Sequence, residues 1–146
     1  MKITTFERYL APTGRVLMGM FFILAGVGKL ADIQGTAAYI ESVGLPFGGV
    51  LALIAAGVEL TGGFMLLTGF MGKMAALLLA LFVLIVTIPF HGFRMWADDP
   101  VQQVMFMKNI ALMGALLFMA AHVNRVADTI EAENEAAENK RPTPTL

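Results

Sequence analysis

Four stretches of this chain, at about Thr13–Leu30, Gly48–Thr68, Met74–Phe93 and Val104–His122, are long and almost wholly apolar. A helix needs about 20 such residues to cross about 30 Å of hydrocarbon, and each stretch is close to that length. Lipid offers no partner to an open strand edge, so helices are the state that satisfies the backbone there. Runs such as Ala75–Leu84 also lack the alternation of a barrel strand. The pattern predicts an all-α integral membrane four-helix bundle.

Composition agrees. The 146 residues are 58% hydrophobic and 14% charged, with a mean hydropathy of +0.74. Soluble domains are about 45–50% apolar and about 25% charged. A chain this small cannot hide the excess inside a globule. Ten basic and eleven acidic residues give a net charge of −1, so no overall basic field recruits nucleic acid. The absence of cysteine excludes disulfides, thiol nucleophiles and iron–sulfur clusters held by thiolates.

The joints divide the chain into a transmembrane domain over 1–123 and a charged tail over 124–146. Gly69, Gly72 and Lys73 make a short turn, so the second and third spans are antiparallel neighbours. Gly35, Gly44 and Pro46 punctuate a longer first connection in which Thr36–Val43 can form an interfacial helix. Asp98, Asp99 and Pro100 mark a turn before the fourth span. The tail holds five acids and three bases, and its end, Asn139–Leu146, carries two prolines and is expected to be disordered. Met1–Gly28 has the look of an export signal, but no A-x-A pattern follows, so it reads as a retained helix.

Lys and Arg near the span ends set the orientation. Lys2, Arg8, Arg15, Lys73, Arg125, Lys140 and Arg141 fall on one side; Lys29, Arg94 and Lys108 fall on the other. Both termini are therefore expected in the cytoplasm, with the longer loops outside.

Ionisable groups within a span cost several kcal/mol and each calls for a reason. Lys29 lies near the outer end of the first span and Glu59 near the middle of the second. His91 lies near the outer end of the third, and Lys108, followed by Asn109, about a turn inside the fourth. Each helix thus brings one such residue to the outer half. Each also has a plain structural reading. Lys29 and Lys108 can snorkel to the interface, and His91 can be a satisfied interfacial histidine. Glu59 is short and deep, with Gly57, Gly62 and Gly63 beside it to allow close helix approach. It is either protonated or paired with Lys108 or Lys29.

Arg94, Trp96 and Tyr39 read as interface anchors and Arg15 as the inner boundary. No Walker motif is present, because Ile23 and Leu67 stand where its first glycine is required. His91 and His122 sit near opposite faces, which disfavours a bis-histidine haem. No cluster has the ligands of a zinc site, and the methionines read as filler rather than a copper site.

The ordered set of motifs resembles the DoxX family of small bacterial membrane proteins over roughly Thr13–Val123. The first helix ends Phe22-x-x-x-Gly26-x-x-Lys29-Leu30, followed by Ala38-Tyr39 and Gly44-Leu45-Pro46. The second carries Glu59 before Gly62-Gly63, and the third ends in Thr87 and Phe90-His91. The fourth opens with Gln102-Gln103, then Phe106-x-Lys108-Asn109 and Gly114. The resemblance implies a compact four-helix membrane bundle and a loose redox association. The family includes a relative of the membrane subunit of thiosulfate:quinone oxidoreductase and a member linked to a redox-defence complex. More distant members assist assembly of membrane receptors, so fold alone does not fix function.

The expectation is a redox-associated protein with an outer-half pocket for a quinone-like or small anionic ligand. Lys29, Lys108 and Asn109 are its candidate ligand-binding residues, and Glu59 and His91 its candidate proton-handling catalytic residues. Phe22, Phe90, Phe93 and Phe106 are candidates for its apolar wall. Quinone is the one cofactor considered, with no covalently bound group and no metal. The bilayer, a redox protein partner and a homo-oligomer are the expected contacts. The alternative is a non-catalytic scaffold or assembly subunit, in which the same polar residues lock the helices together.

Overall fold

A computed structural model describes residues 5–93, 96 and 99–139. Five helices follow one another: α1 (Thr5–Ala31), α2 (Ile33–Ser42), α3 (Gly48–Thr68), α4 (Gly72–His91) and α5 (Pro100–Glu138). There is no strand among the described residues. Tyr9–Ala31, Gly48–Thr68, Gly72–His91 and Pro100–His122 are each long and apolar enough to cross a membrane. The protein is an all-α, multi-pass membrane protein. Lys2, Arg94, Asp98, Lys140 and Arg141, which carry parts of the orientation and turn arguments, lie outside the described residues, as does the expected disorder of 140–146.

The connections follow from local chemistry. Asp32 caps α2, its carboxylate accepting from the Gly35 amide at 2.9 Å. After Gly44, at φ +87°, the chain turns into α3 through Phe47, whose φ of 59° is left-handed. Glu41 then accepts from the Gly48 amide at 3.2 Å, tying α2 to the start of α3. Gly69, at φ +80°, ends α3 by donating to the Leu66 and Met65 carbonyls, an arrangement that favours glycine. α5 begins at Pro100 under an Asp99 cap, with the Val101 amide 2.9 Å from the carboxylate. It runs past the apolar window at His122 as far as Glu138. At 1.5 Å per residue its 39 residues make it about 58 Å long, well beyond the hydrocarbon thickness.

The helices pack in the order α1, α3, α4, α5, with α2 lying across the end where α1 finishes and α3 starts. α1 and α3 run antiparallel with their backbones in contact. A Cβ at Gly19 would stand 2.7 Å from the Gly63 carbonyl oxygen and 2.8 Å from the Leu67 nitrogen. One heptad on, a Cβ at Gly26 would meet Leu60 and the Ala56 carbonyl. In lipid, where apolar burial between helices gains little, such small-residue seams supply the packing that drives association. The other glycines beside Glu59 divide. Gly62 lies against Leu79 of α4, and Gly63 against Gly19 and Ile23 of α1. Gly57, expected to allow close approach, faces open space with nothing within 4 Å of a Cβ placed there.

Phe22, Leu66, Leu79 and Leu116 are fully buried and are knitted together by Ala75, Ala76, Ala80 and Ala120. Outside this narrow core the large apolar side chains point outward, Leu53, Ile54, Leu78, Ile85 and Phe118 among them. Apolar exposure on that scale marks a surface whose solvent is lipid.

Candidate functional site

Side chains of the four spanning helices and of α2 line a half-open cavity of about 290 Å³. Lys29 of α1, Glu59 of α3, His91 of α4 and Lys108 and Asn109 of α5 all line it. The structure thus brings together the five residues singled out in the sequence.

Their pairings differ in kind. Lys29 Nζ donates to both carboxylate oxygens of Glu59, at 2.8 and 2.7 Å. Of the two lysines considered as partner to Glu59, Lys29 is the one in contact. Glu59 is 6% exposed, while the Lys29 side chain keeps 30% of its surface open. Such a pair offsets two charges that would each be expensive in isolation. The geometry of α1 explains the choice. Helical side chains lean toward their own N-terminus, so Lys29 reaches back along α1 while Glu59 leans toward the start of antiparallel α3.

His91 Nδ1 lies 2.7 Å from Gln102 Oε1, and Gln102 Nε2 donates to Asp99 Oδ2 at 3.0 Å. Because the carboxylate can only accept, the amide nitrogen of Gln102 faces Asp99 and its oxygen faces the ring. The proton on His91 is thereby assigned to Nδ1, which leaves Nε2 as an acceptor. Trp96 Nε1 covers the end of α4 by donating to the His91 carbonyl at 3.0 Å. Asn109 Nδ2 donates to Thr87 Oγ1 at 3.1 Å, pinning α5 to α4 at a hydroxyl that is 1% exposed.

Lys108 is the exception. Its ammonium touches the Met105 sulfur at 3.4 Å, a weak acceptor on its own helix, and it forms no ion pair among the described residues. With Lys29 and Glu59 paired, Lys108 is the remaining cation among the described lining residues. Among the described residues no group of His, Asp and Glu could hold a metal ion.

The apolar wall differs in part from expectation. Phe22 and Phe90 line the cavity, joined by Phe21 and Phe82. Phe93 and Phe106 do not; they pack on Trp96, tilted at a centroid distance of 4.4 Å for Phe93 and edge-on at 5.3 Å for Phe106. Phe93 lies beyond the end of α4, so a helical count could not place it. Tyr39 does more than anchor an interface: it lines the cavity and packs on Phe90 at 5.3 Å. The Gln102–Asp99 support was missed, although Asp99-Pro100-Val101-Gln102 carries the spacing of a capping box. Arg15, read as a boundary marker, lies at the opposite end of the bundle against Gly69.

These features define a small membrane bundle in which each spanning helix brings a polar side chain to one mixed polar and apolar cavity. The chain belongs to the DoxX family, whose sequence model matches residues 10–92. That match stops short of the fourth span, which the resemblance drawn from the motifs had included. The chain is 39% identical to the inner membrane protein YqjF of Escherichia coli (strain K12) over 106 residues, covering 73% of this chain and 78% of the relative. It is 28% identical to the inner membrane protein YphA of the same strain over 108 residues, 73% and 77% of the two chains. With the "Putative oxidoreductase CatD" of Bacillus subtilis (strain 168) it shares 32% identity over 84 residues, 53% and 61% of the two chains. No solved structure matches this chain.

Proposed function

We propose that the protein is a redox-associated subunit of the bacterial inner membrane whose cavity binds the head of a quinone-like ligand. The observation that carries this reading is Lys108, an exposed cation on the rim of a cavity walled by phenylalanines, with no carboxylate partner among the described residues. A carbonyl or phenolate oxygen is the acceptor such an ammonium lacks. The volume of about 290 Å³ suits a one- or two-ring head. A quinone supplies two-electron, two-proton chemistry, and the chain's own residues bind it and carry protons. Lys108 and Asn109 hold the head, His91 Nε2 exchanges a proton, and the Lys29–Glu59 pair is a second proton-bearing couple. Electrons come from a redox protein partner, since the chain has no cysteine for an iron–sulfur centre. The inner-membrane names of YqjF and YphA and the oxidoreductase name of CatD support the location and the redox association.

A second reading, a non-catalytic scaffold, has its own support. Lys29–Glu59, His91–Gln102 and Asn109–Thr87 each join two helices and satisfy one another. Lys108 separates the two, because it holds no neighbouring helix. Trp96, the single tryptophan, lies beside His91 and reports occupancy through its fluorescence. Titration with a short-chain benzoquinone should quench it saturably. Lys108→Met should weaken binding about ten-fold, the loss of one charge-assisted hydrogen bond, with the melting temperature unchanged. Non-saturable quenching that is identical in the variant would leave the scaffold reading standing.

A further inference from the structure

A second void lies against the cavity. It is an apolar groove of about 740 Å³ between α3 and α4, open along its side to the surrounding membrane. Leu51, Ile54, Val58 and Met65 of α3 face Leu81 and Ile85 of α4 across it. The cause is local. The two helices touch where Gly62 meets Leu79, and part toward the α2 end, where Gly57 faces open space. The groove and the polar cavity share Ile40, Ala55, Phe82, Val86 and Phe90 as lining residues, so the two voids adjoin.

We infer that this groove is the tail site for the ligand whose head lies in the cavity, and that the ligand is a prenylated quinone rather than a small water-soluble anion. The inference rests on the proposed head site and deepens it. Three observations on the molecule support it. A polar cavity and an apolar groove that meet at shared residues match a molecule with a polar head and an apolar tail. From Leu51 to Met65 the groove extends about 21 Å along α3, enough to take a chain lengthwise. Lateral opening to lipid lets such a ligand enter from the bilayer without unfolding any element.

The test uses the full chain in phospholipid nanodiscs, with concentrations expressed in the membrane phase. The probes are tailless dimethoxymethylbenzoquinone and its geranylated homologue, read by Trp96 quenching. A tail leaving lipid for an apolar groove gains packing rather than dehydration, so the geranyl probe should bind about five-fold tighter to the wild type. Gly57→Leu fills the groove and lengthens no contact with the head, and leucine favours the helix over glycine. It should abolish the five-fold difference and leave the tailless probe unaffected, whereas Lys108→Met should weaken both probes. A photoreactive group at the tail end should label α3 and α4 peptides lining the groove. Equal binding of both probes, or labelling elsewhere, overturns the tail site while the head reading stands if Lys108→Met still weakens both. Failure of either probe to bind saturably overturns the head reading and the tail site with it. A Gly57→Leu variant that breaks a dimer without moving the probe ratio makes the groove a self-association face and overturns the inference.

Discussion

The Lys29–Glu59 pair gives the sharpest test at the scale of single residues. Glu59 is the more deeply buried partner, and Lys29 is the one with a path to the interface. Lys29→Met therefore strands a carboxylate, whereas Glu59→Gln leaves a lysine free to snorkel. Thermal unfolding in detergent should show Lys29→Met losing about 3 kcal/mol, Glu59→Gln distinctly less, and the double variant recovering part of the loss. Equal, additive losses would mean the two side chains do not depend on each other. The sequence required Glu59 to be either protonated or paired, since a lone charged carboxylate at that depth is costly. It did not decide between Lys29 and Lys108, because that choice depends on how far α1 is slid along α3. The glycine contacts at Gly19 and Gly26 set that register, and their partners become visible only once the helices are docked.

At the scale of helices, the α1–α3 seam and the α3–α4 opening make opposite predictions for one substitution type. Gly63→Ala would drive a Cβ to 2.8 Å from the Gly19 carbonyl oxygen and 3.0 Å from the Ile23 nitrogen, backbone atoms that yield little. It should destabilise by about 1–3 kcal/mol. Gly57→Ala meets nothing within 4 Å and should stabilise by about 0.5–1 kcal/mol through helix propensity. Urea or thermal denaturation of the two variants checks this, and a similar loss in both would contradict the packing described. Span positions were legible, because apolar length is a strong signal in lipid. The splay of α3 from α4 was not. Gly57, Gly62 and Gly63 look alike in the sequence, and only their facing partners separate contact from void. Phe93 and Phe106 were misassigned for a related reason: the chain leaves α4 just before Phe93, and both rings turn to Trp96.

For the whole molecule, the excess of Lys and Arg on one side predicts that both termini face the cytoplasm. The lack of native cysteine makes labelling of single introduced cysteines clean. In intact cells a membrane-impermeant maleimide should modify Ser42→Cys, at the end of α2, and should reach Asn139→Cys only after permeabilisation. The reverse pattern would invert the bundle and put the cavity at the cytoplasmic face. The gathering of Lys29, Glu59, His91, Lys108 and Asn109 was readable from their depth in each span, whereas the contact of Gln102 with His91 and the α2 residues that complete the site depend on tertiary contacts. The central claim is that this site holds a quinone-like molecule. Native mass spectrometry of gently solubilised protein, with organic extraction of the same sample, tests it most directly. A stoichiometric quinone is expected on the wild type and is expected to be missing from Lys108→Met. A partner subunit bound with no small molecule in either sample would contradict it and leave a scaffold.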